Sequence, residues 1–415
     1  MNFMRSNKSS NKIQSLSSSP LIIEDLDVLQ ERARIEDQMN KHSINNDLLT
    51  IHHLTKQFNV DKNQNHLTAV DSLTFGIHHE ECFGLLGVNG AGKTTTFSML
   101  TGDLLPTSGD AYINNINSSR YQYHKFYDSL INNMRQFQQS IGYCPQFDAL
   151  LTKLTGTEML YLFGRLRGIP KANLDRDVHN LIKMTSLGAH AGHQIDSYSG
   201  GTRRKLSIAI ALIGSPPLLL LDEPTSGVDP VARRKIWQTL EYLKRHFATS
   251  IVLTSHSMEE CEALCSRIGI MVNGKFCCIG SPQHLRSKYG QGYWVTISLK
   301  RNISQSYGSV DDLKTRQIHI QNEINKIQLA IISVLPSAVL KDSHQSLMLF
   351  HITDPMEKWS NIFRQMSHLD EQFNFEDYHV SDTTLEQIFI MFSRHKMILN
   401  GDNVNDNVVC DNDDH

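Results

Sequence analysis

The sequence predicts an α/β domain with a largely parallel central sheet, followed by a smaller α+β domain. Two observations support this fold class. From about Leu48, short apolar runs alternate with helix-forming stretches, which is the pattern of a parallel sheet covered by helices. After Gly292 the predicted order becomes β-α-β-β-α-β, which is that of a ferredoxin-like unit.

The predicted elements follow the hydrophobic pattern along the chain. In the first domain, strands are predicted at residues 49–54, 67–77, 82–86, 140–144, 218–221, 250–254 and 268–272, and helices at 91–101 and 231–246. Residues 155–195 are mostly helix-forming and predict an inserted helical subdomain, and a second helical insert is expected around 118–139. In the second domain, strands are predicted at 294–299, 338–341, 346–352 and 373–380, and helices at 311–335, 356–367 and 384–394.

These elements divide the chain into four parts. Residues 1–20 contain seven serines and three asparagines, so residues 1–47 are expected to be a disordered lead-in followed by a short solvated linker helix at 21–40. The α/β domain is expected at residues 48–292 and the ferredoxin-like domain at 293–395. Residues 396–415 are acidic and rich in asparagine, which predicts a disordered tail.

Composition and charge exclude several classes of protein. The chain of 415 residues has 40 basic and 43 acidic side chains, a net charge of −3, so it has no overall attraction to nucleic acid or an anionic membrane. Its most apolar stretch, residues 206–221, is broken by Gly-Ser-Pro-Pro and is short for a bilayer, so no membrane span is expected. The N-terminus lacks the pattern of a signal peptide. Seven cysteines without CxxC spacing indicate free thiols in a reducing compartment.

A phosphate-binding loop is predicted at residues 87–94, whose sequence GVNGAGKT fits GxxxxGK[ST] between an apolar run and a helix. Glycines let backbone N–H groups approach phosphate oxygens, and the helix N-terminus favours negative charge. Lys93 is expected to neutralise the β and γ phosphates of ATP, and the Thr94 hydroxyl to bind Mg²⁺. The nucleotide-binding residues predicted here are Gly87, Asn89, Gly90, Gly92, Lys93, Thr94 and Thr95.

Two adjacent acids follow the leucine run of residues 218–221. The leucines predict a buried parallel strand, and ligands of open α/β sheets lie at the carboxyl ends of such strands. Asp222 is therefore expected to bind Mg²⁺ directly or through water, and Glu223 to orient and deprotonate the attacking water. With the loop at 87–94, this pair indicates a P-loop NTPase without distinguishing kinases, GTPases and motor ATPases.

A second anion-binding helix start is predicted at Ser199, Gly200 and Gly201, 23 residues before Asp222. A serine N-cap followed by two glycines exposes backbone N–H groups at the positive end of a helix. Only the first such site has a lysine. The simplest explanation is that the second one binds the γ-phosphate of a nucleotide held by another subunit.

With these motifs, the chain resembles the ATP-binding cassette (ABC) proteins over most of residues 48–290. Residues 198–202 are similar to the family signature, and residues 226–229, ending in Asp229, to the D-loop. The resemblance implies that Gln146 is the Q-loop glutamine that contacts metal and water, and that His256 is the switch histidine that contacts the γ-phosphate. It also implies that Phe58 stacks on adenine. Read singly, these would be a loop glutamine, a structural histidine and a core aromatic residue.

Three segments are similar to the A subfamily of ABC transporters, namely residues 81–93, 254–265 and 380–389. Residues 27–32 resemble the linker before the second cassette of those transporters, and the ferredoxin-like domain would be their regulatory domain. Tyr198, Thr202 and the pair Gly227-Val228 depart from the commonest family pattern without removing a phosphate ligand.

The resemblance implies an ATP-hydrolysing motor at the cytoplasmic face of a membrane. Its partners would be a second cassette and transmembrane domains absent from this chain, and it would act on lipid indirectly. The alternative is a soluble ABC ATPase that acts on ribosomes or nucleic acid. That alternative usually needs two cassettes or a long coiled coil, and the sequence has no sustained heptads or basic-aromatic stripe. A catalytically inactive scaffold is disfavoured because all the phosphate and metal ligands are present.

Overall fold

The computed structural model describes residues 25–41, 47–59, 66–114, 127–247, 249–290, 292–299, 324–344, 347–354 and 357–399. Three sheets and their helices make up this part of the chain. In those residues we find no helix with both the length and the apolar character that a bilayer crossing requires. The predicted lead-in at 1–20 and nearly all of the predicted tail lie outside the described residues.

The chain up to residue 290 contains both strands and helices. The strands are β1 (Asp47–Asn59), β2 (His66–His78), β3 (Cys82–Gly87), β4 (Ser108–Asn114), β5 (Tyr127–Ser129), β6 (Ile141–Cys144), β7 (Leu218–Asp222), β8 (Ser250–Ser255), β9 (Arg267–Val272) and β10 (Lys275–Gly280). The helices are α1 (Leu26–Asn40), α2 (Lys93–Thr101), α3 (Met134–Gln139), α4 (Gly156–Leu166), α5 (Lys171–Met184), α6 (Gly200–Leu212), α7 (Pro230–Phe247), α8 (Met258–Leu264) and α9 (Pro282–Tyr289).

The central sheet has the strand order β10-β9-β3-β8-β7-β6, and all of its pairs are parallel except β9–β10. Leu218 to Leu221 are all fully buried, and alternate leucines of this run pack into two different hydrophobic clusters. Both faces of the strand are thus covered, which confirms the sequence prediction for β7. The strands β3, β7 and β8 end together, which brings the loops after them to one edge of the sheet.

A separate antiparallel sheet contains β1 and β2 in the order β2-β1-β4-β5. The first two predicted strands therefore lie outside the parallel sheet, and strands β4 and β10 were missed. Where it is described, the insert expected to be helical around 118–139 contains the strand β5 as well as α3. Pairing with β4 makes residues 127–129 a strand.

The second domain contains β11 (Tyr293–Ser298), α10 (324–334), β12 (Ala338–His344), β13 (Leu347–Ile352), α11 (Trp359–Phe373) and β14 (Asp377–Asp382). Its sheet has the order β12-β13-β11-β14, and neighbouring strands are antiparallel. The buried apolar side chains of this domain form a hydrophobic core of their own. This confirms the β-α-β-β-α-β order. The helix α11 continues past the predicted end and stops where Asn374 adopts a left-handed conformation with φ 53°.

The last helix, α12 (Leu385–Leu399), packs against the first domain rather than its own. Leu385 and Ile388 are buried in the cluster that contains α6 and α7 side chains, and Phe392 meets the Tyr289 ring edge-on at 4.9 Å. The helix also extends to Leu399, so the expectation of disorder from residue 396 is wrong for its first four residues. Pattern alone could not show which apolar surface this helix covers.

The helix α1 is not the solvated linker that its charged sequence suggested. Val28, Glu31 and Ile35 are buried, because the helix packs on β2 and β10. Glu31 accepts hydrogen bonds from the Gly76 N–H (3.0 Å) and the Arg34 guanidinium, and it pairs with Arg267 at 3.0 Å. Charged side chains therefore attach α1 to the sheet instead of keeping it in water.

This ion-pair cluster predicts a specific loss of stability in acid. Burial raises the pKa of Glu31, but the bonds and charges of Arg34 and Arg267 outweigh it and lower that pKa from 4.5 to about 2. The carboxylate therefore stabilises the fold above the unfolded pKa of 4.5, and this contribution is lost as pH falls toward 2. Glu31→Gln should lower the free energy of unfolding by on the order of 2 kcal/mol near neutral pH.

Denaturant titrations from pH 6 down to about pH 3 measure this effect. The difference between Glu31→Gln and the wild-type chain should shrink on acidification. Glu36→Gln on the same helix is the matched control, since the Glu36 side chain is 45% exposed. A difference independent of pH would contradict the role assigned to the Glu31 charge.

Candidate active site

The loop between β3 and α2 has the backbone that a phosphate-binding loop needs. Gly90 and Gly92 have positive φ values of 79° and 104°, and Gly92 is the N-cap of α2. A Cβ added at Gly92 would lie 2.4 Å from the Ala69 carbonyl oxygen, so no larger residue fits without movement. The loop therefore presents backbone N–H groups at the positive end of a helix.

Lys93 and Thr94 begin α2 and point to different environments. The Lys93 side chain is buried, and its ammonium donates to the carbonyls of Gly87 (2.6 Å) and Val88 (3.2 Å) inside the loop. Burial lowers the pKa of Lys93 below its usual value, although the nearby charges of Glu223 and Asp222 oppose this shift. Thr94 is exposed, which leaves its hydroxyl free to reach a ligand.

Asp222 ends β7 beside Thr254 of β8, whose hydroxyl donates to the Asp222 carboxylate at 2.5 Å. Asp222 is only 2% exposed, and this burial raises its pKa although the Thr254 bond opposes the shift. The next residue, Glu223, has φ 45°, and its N–H donates to the Thr254 hydroxyl (3.0 Å). The turn fixes the direction of the Glu223 side chain as it leaves the strand.

The Glu223 carboxylate lies between two side chains that are far away in sequence. The Gln146 amide donates to one of its oxygens at 3.0 Å, and His256 Nδ1 lies 3.5 Å from the other. Glu223 is 12% exposed and His256 is 64% exposed at the side chain, so the group opens to solvent on the histidine side. The structure thus brings together the three residues predicted to be catalytic.

Ser199 is the N-cap of α6, and its hydroxyl accepts from the Thr202 N–H at 3.3 Å. Gly200 is exposed, with open space at the position of a Cβ, whereas Gly201 is buried beside Ala232 and Asp229. Asp229 caps α7 by accepting from the N–H groups of residues 231 and 232. Among the hydrogen bonds and ion pairs of the described chain, none connects this group to the phosphate-binding loop.

Phe58 lies near the end of β1, opposite Leu67 of β2, with the Lys56 ammonium 5.3 Å from its ring centre. Ala69, two residues along β2, is the residue whose carbonyl approaches Gly92. The strand pair therefore brings Phe58 to the same side of the domain as the phosphate-binding loop.

Comparison with known families agrees with this geometry. Residues 70–226 match the model described as ABC transporter, and residues 290–382 match the ABCA1-like, C-terminal R1 regulatory domain. Human phospholipid-transporting ATPase ABCA3 is 42% identical over 374 residues, or 90% of this chain. The chain contains an ATP-binding cassette of the ABC family, followed by an ABCA1-like regulatory domain.

Human retinal-specific phospholipid-transporting ATPase ABCA4 is also 42% identical, over 91% of this chain. The chain spans a fifth or less of these relatives, 20% of ABCA3 and 15% of ABCA4. A solved ATP-binding subunit of an ABC transporter superposes with a TM-score of 0.50 at 25% identity, covering 59% of this chain and 93% of that one. The cassette is therefore a nucleotide-binding ABC ATPase domain, and the ribosomal or nucleic-acid alternative is not supported.

Arg204 is a central residue of this cassette that sequence reasoning missed. It is 3% exposed in α6, and its guanidinium donates to the carbonyls of Pro145 (2.5 Å), Asp222 (2.6 Å) and Pro224 (2.9 Å). It also pairs with Asp148 at 3.2 Å. A single side chain thus connects the signature helix to the backbones beside Gln146 and Glu223. No sequence signal distinguishes Arg204, because it lies between two other basic residues, Arg203 and Lys205.

Proposed function

We propose that this chain is the ATP-hydrolysing motor of an A-subfamily transporter that moves lipid across a membrane. The observation that supports hydrolysis most directly is the placement of Glu223 between Gln146 and His256, next to the buried Asp222. A carboxylate positioned by two partners at the edge of the phosphate-binding loop suits a general base. The lipid substrate is suggested by the names of the relatives, both phospholipid-transporting ATPases.

The phosphates of ATP would be bound by the loop that ends at Gly92 and by Lys93. The Lys93 ammonium, which now donates to loop carbonyls, would donate to phosphate oxygens instead. The predicted loop residues Gly87, Asn89, Gly90 and Thr95 would complete the cradle. Phe58 would stack on adenine. Exposed Thr94 and buried Asp222, with Gln146, supply the oxygen ligands that Mg²⁺ prefers. Bound Mg²⁺ would neutralise charge on the phosphates during transfer.

For hydrolysis, Glu223 would accept a proton from the attacking water as the water oxygen bonds to the γ-phosphorus. The bond from that phosphorus to the β–γ bridging oxygen breaks at the same time, and ADP leaves with the electron pair. Gln146 and His256 would orient the water and the γ-phosphate. Each of these two side chains already lies within 3.5 Å of the Glu223 carboxylate.

The signature residues Ser199, Gly200 and Gly201, with Asp229, would bind the ATP of a second cassette. The exposed start of α6 supports this, because its N–H groups and the helix dipole favour an anion. No hydrogen bond or ion pair in the described residues joins it to the phosphate-binding loop of the same chain, so the anion would belong to the ATP of the second cassette. The other partners would be transmembrane domains, and the cassette would work at the cytoplasmic face of their membrane. Closure and reopening of the two cassettes would drive transport.

ATP turnover by the 415-residue chain, measured over a range of chain concentrations with Mg²⁺ and with chelator, tests this proposal. Because each site would need the signature of a second copy, the rate per chain should rise with concentration until dimers saturate. Chelation should abolish turnover, and added RNA should not stimulate it. A rate per chain that is independent of concentration would contradict the shared site, and absence of Mg²⁺-dependent turnover at every concentration would contradict the proposed hydrolysis.

A further inference from the structure

Glu260 is a buried carboxylate that the nucleotide site does not use. It lies in α8, is 1% exposed, and accepts three side-chain hydrogen bonds. Thr225 Oγ1 (2.9 Å) and Trp237 Nε1 (3.2 Å) donate to one oxygen, and Ser255 Oγ (2.7 Å) donates to the other. Burial raises the pKa of Glu260 above its usual value. The three hydrogen bonds and the charge of Arg233 oppose that shift without reversing it.

The three donors come from separate segments of the site. Ser255 is the last residue of β8 and directly precedes His256, and its hydroxyl also accepts from the Ser257 N–H at 2.9 Å. Thr225 directly precedes residues 226–229, which end in Asp229 and lead into α7. Trp237 lies two turns along α7. One carboxylate thus connects the segment of the histidine with the segment expected to face the partner cassette.

A buried carboxylate is a costly way to fill a core. Removing its charge from water costs several kcal/mol unless hydrogen bonds compensate, and an apolar side chain would occupy the same volume without that cost. What an apolar side chain cannot do is set the distance between Ser255 and Thr225, because packing contacts have no direction. Two hydrogen bonds to opposite oxygens of one carboxylate fix that distance.

We propose that Glu260 is a positioning residue for ATP hydrolysis, which sets the placement of His256 relative to the 226–229 segment. This inference rests on the proposed function, since it concerns the rate of that reaction. Glu260 is too deeply buried to contact a substrate. Its loss should therefore lower kcat while ATP affinity, which depends on Lys93 and the loop around it, stays the same.

The decisive variants change the hydrogen bonds of this carboxylate at nearly constant side-chain shape. Thr225→Val removes the hydroxyl at nearly constant shape, Thr225→Ser restores it, and Glu260→Gln turns one accepting oxygen into a donor. Thr185→Val is the matched control, because Thr185 is 3% exposed in the helical subdomain and donates a comparable bond to the Leu181 carbonyl at 2.7 Å. Thermal unfolding, the ATP dissociation constant and kcat are measured for each, with kcat taken well below the unfolding midpoint.

Thr225→Val and Glu260→Gln should lower kcat by about tenfold to a hundredfold with the ATP dissociation constant unchanged, as expected for a small displacement at a reacting centre. Thr225→Ser should recover most of the rate. Thr185→Val should lower the unfolding midpoint to a similar extent without changing kcat.

Equal kcat in the wild-type chain, Thr225→Val and Glu260→Gln would overturn the inference and leave the proposed function intact. A fall in kcat for Thr185→Val as large as that for Thr225→Val would also overturn it, because general destabilisation would then explain the result. Absence of Mg²⁺-dependent turnover in the wild-type chain would instead refute the proposed function.

Discussion

Replacing Glu223 by glutamine should leave ATP binding intact and lower ATP turnover by about a thousandfold, within the range that a general base contributes. The amide keeps the shape of the side chain and can still accept from Gln146, which now donates to a Glu223 oxygen at 3.0 Å. It cannot accept the proton of the attacking water. The chemical step is therefore blocked while the phosphate-binding loop and Lys93 remain unchanged.

This result is measured by single-turnover hydrolysis together with equilibrium binding of ATP. Glu259→Gln provides the matched control, because Glu259 is an exposed carboxylate of α8 three residues after His256. It should hydrolyse ATP at the wild-type rate. Normal turnover by the Glu223→Gln chain would show that another group accepts the proton, and the assignment of the base would be wrong.

Replacing Lys93 by methionine should weaken ATP binding by about a hundredfold, since one charge-assisted hydrogen bond to a phosphate contributes roughly 1.5 to 3 kcal/mol. Methionine retains most of the apolar stem that the fold buries at this position. What it removes is the ammonium that donates to the carbonyls of Gly87 and Val88 and would turn to the phosphates when ATP binds.

Binding of a fluorescent ATP analogue gives the dissociation constant for this comparison, and circular dichroism confirms that the variant is folded. Lys171→Met serves as the control, because Lys171 is exposed at the start of α5, away from the loop. It should bind like the wild-type chain. Equal affinity of Lys93→Met and wild type would exclude Lys93 as a phosphate ligand.

The sequence by itself predicted the parts of the site that depend on local rules. Gly92 at φ 104° and the lysine after it can be recognised from residue type alone, because a loop that curls around phosphate excludes Cβ atoms. The leucines of residues 218–221 predict a strand covered on both faces without knowledge of its neighbours. The β-α-β-β-α-β order of the second domain follows from local periodicity in the same way.

Other features depended on contacts between distant residues. The charges of α1 suggested a solvated helix, but ion pairs with Arg267, more than 200 residues later, make it part of the first domain. The helix α12 follows the second domain in sequence and nevertheless buries Leu385 in the core of the first. In both cases the apolar or charged pattern was visible, and the surface that it covers was not.

In the candidate active site, too, the contacts between distant residues depend on the tertiary structure. Gln146 and Glu223 are 77 residues apart in sequence, and their 3.0 Å contact exists because β6 and β7 are neighbours in the parallel sheet. The sequence motifs assign no role to Arg204 or Glu260, and only their buried hydrogen bonds reveal that they connect the motif segments. Sequence identified the side chains proposed to bind and cleave ATP, because that chemistry depends on residue type and local backbone. Tertiary structure decided which of them meet, because strand order and helix packing set distances that no local pattern encodes.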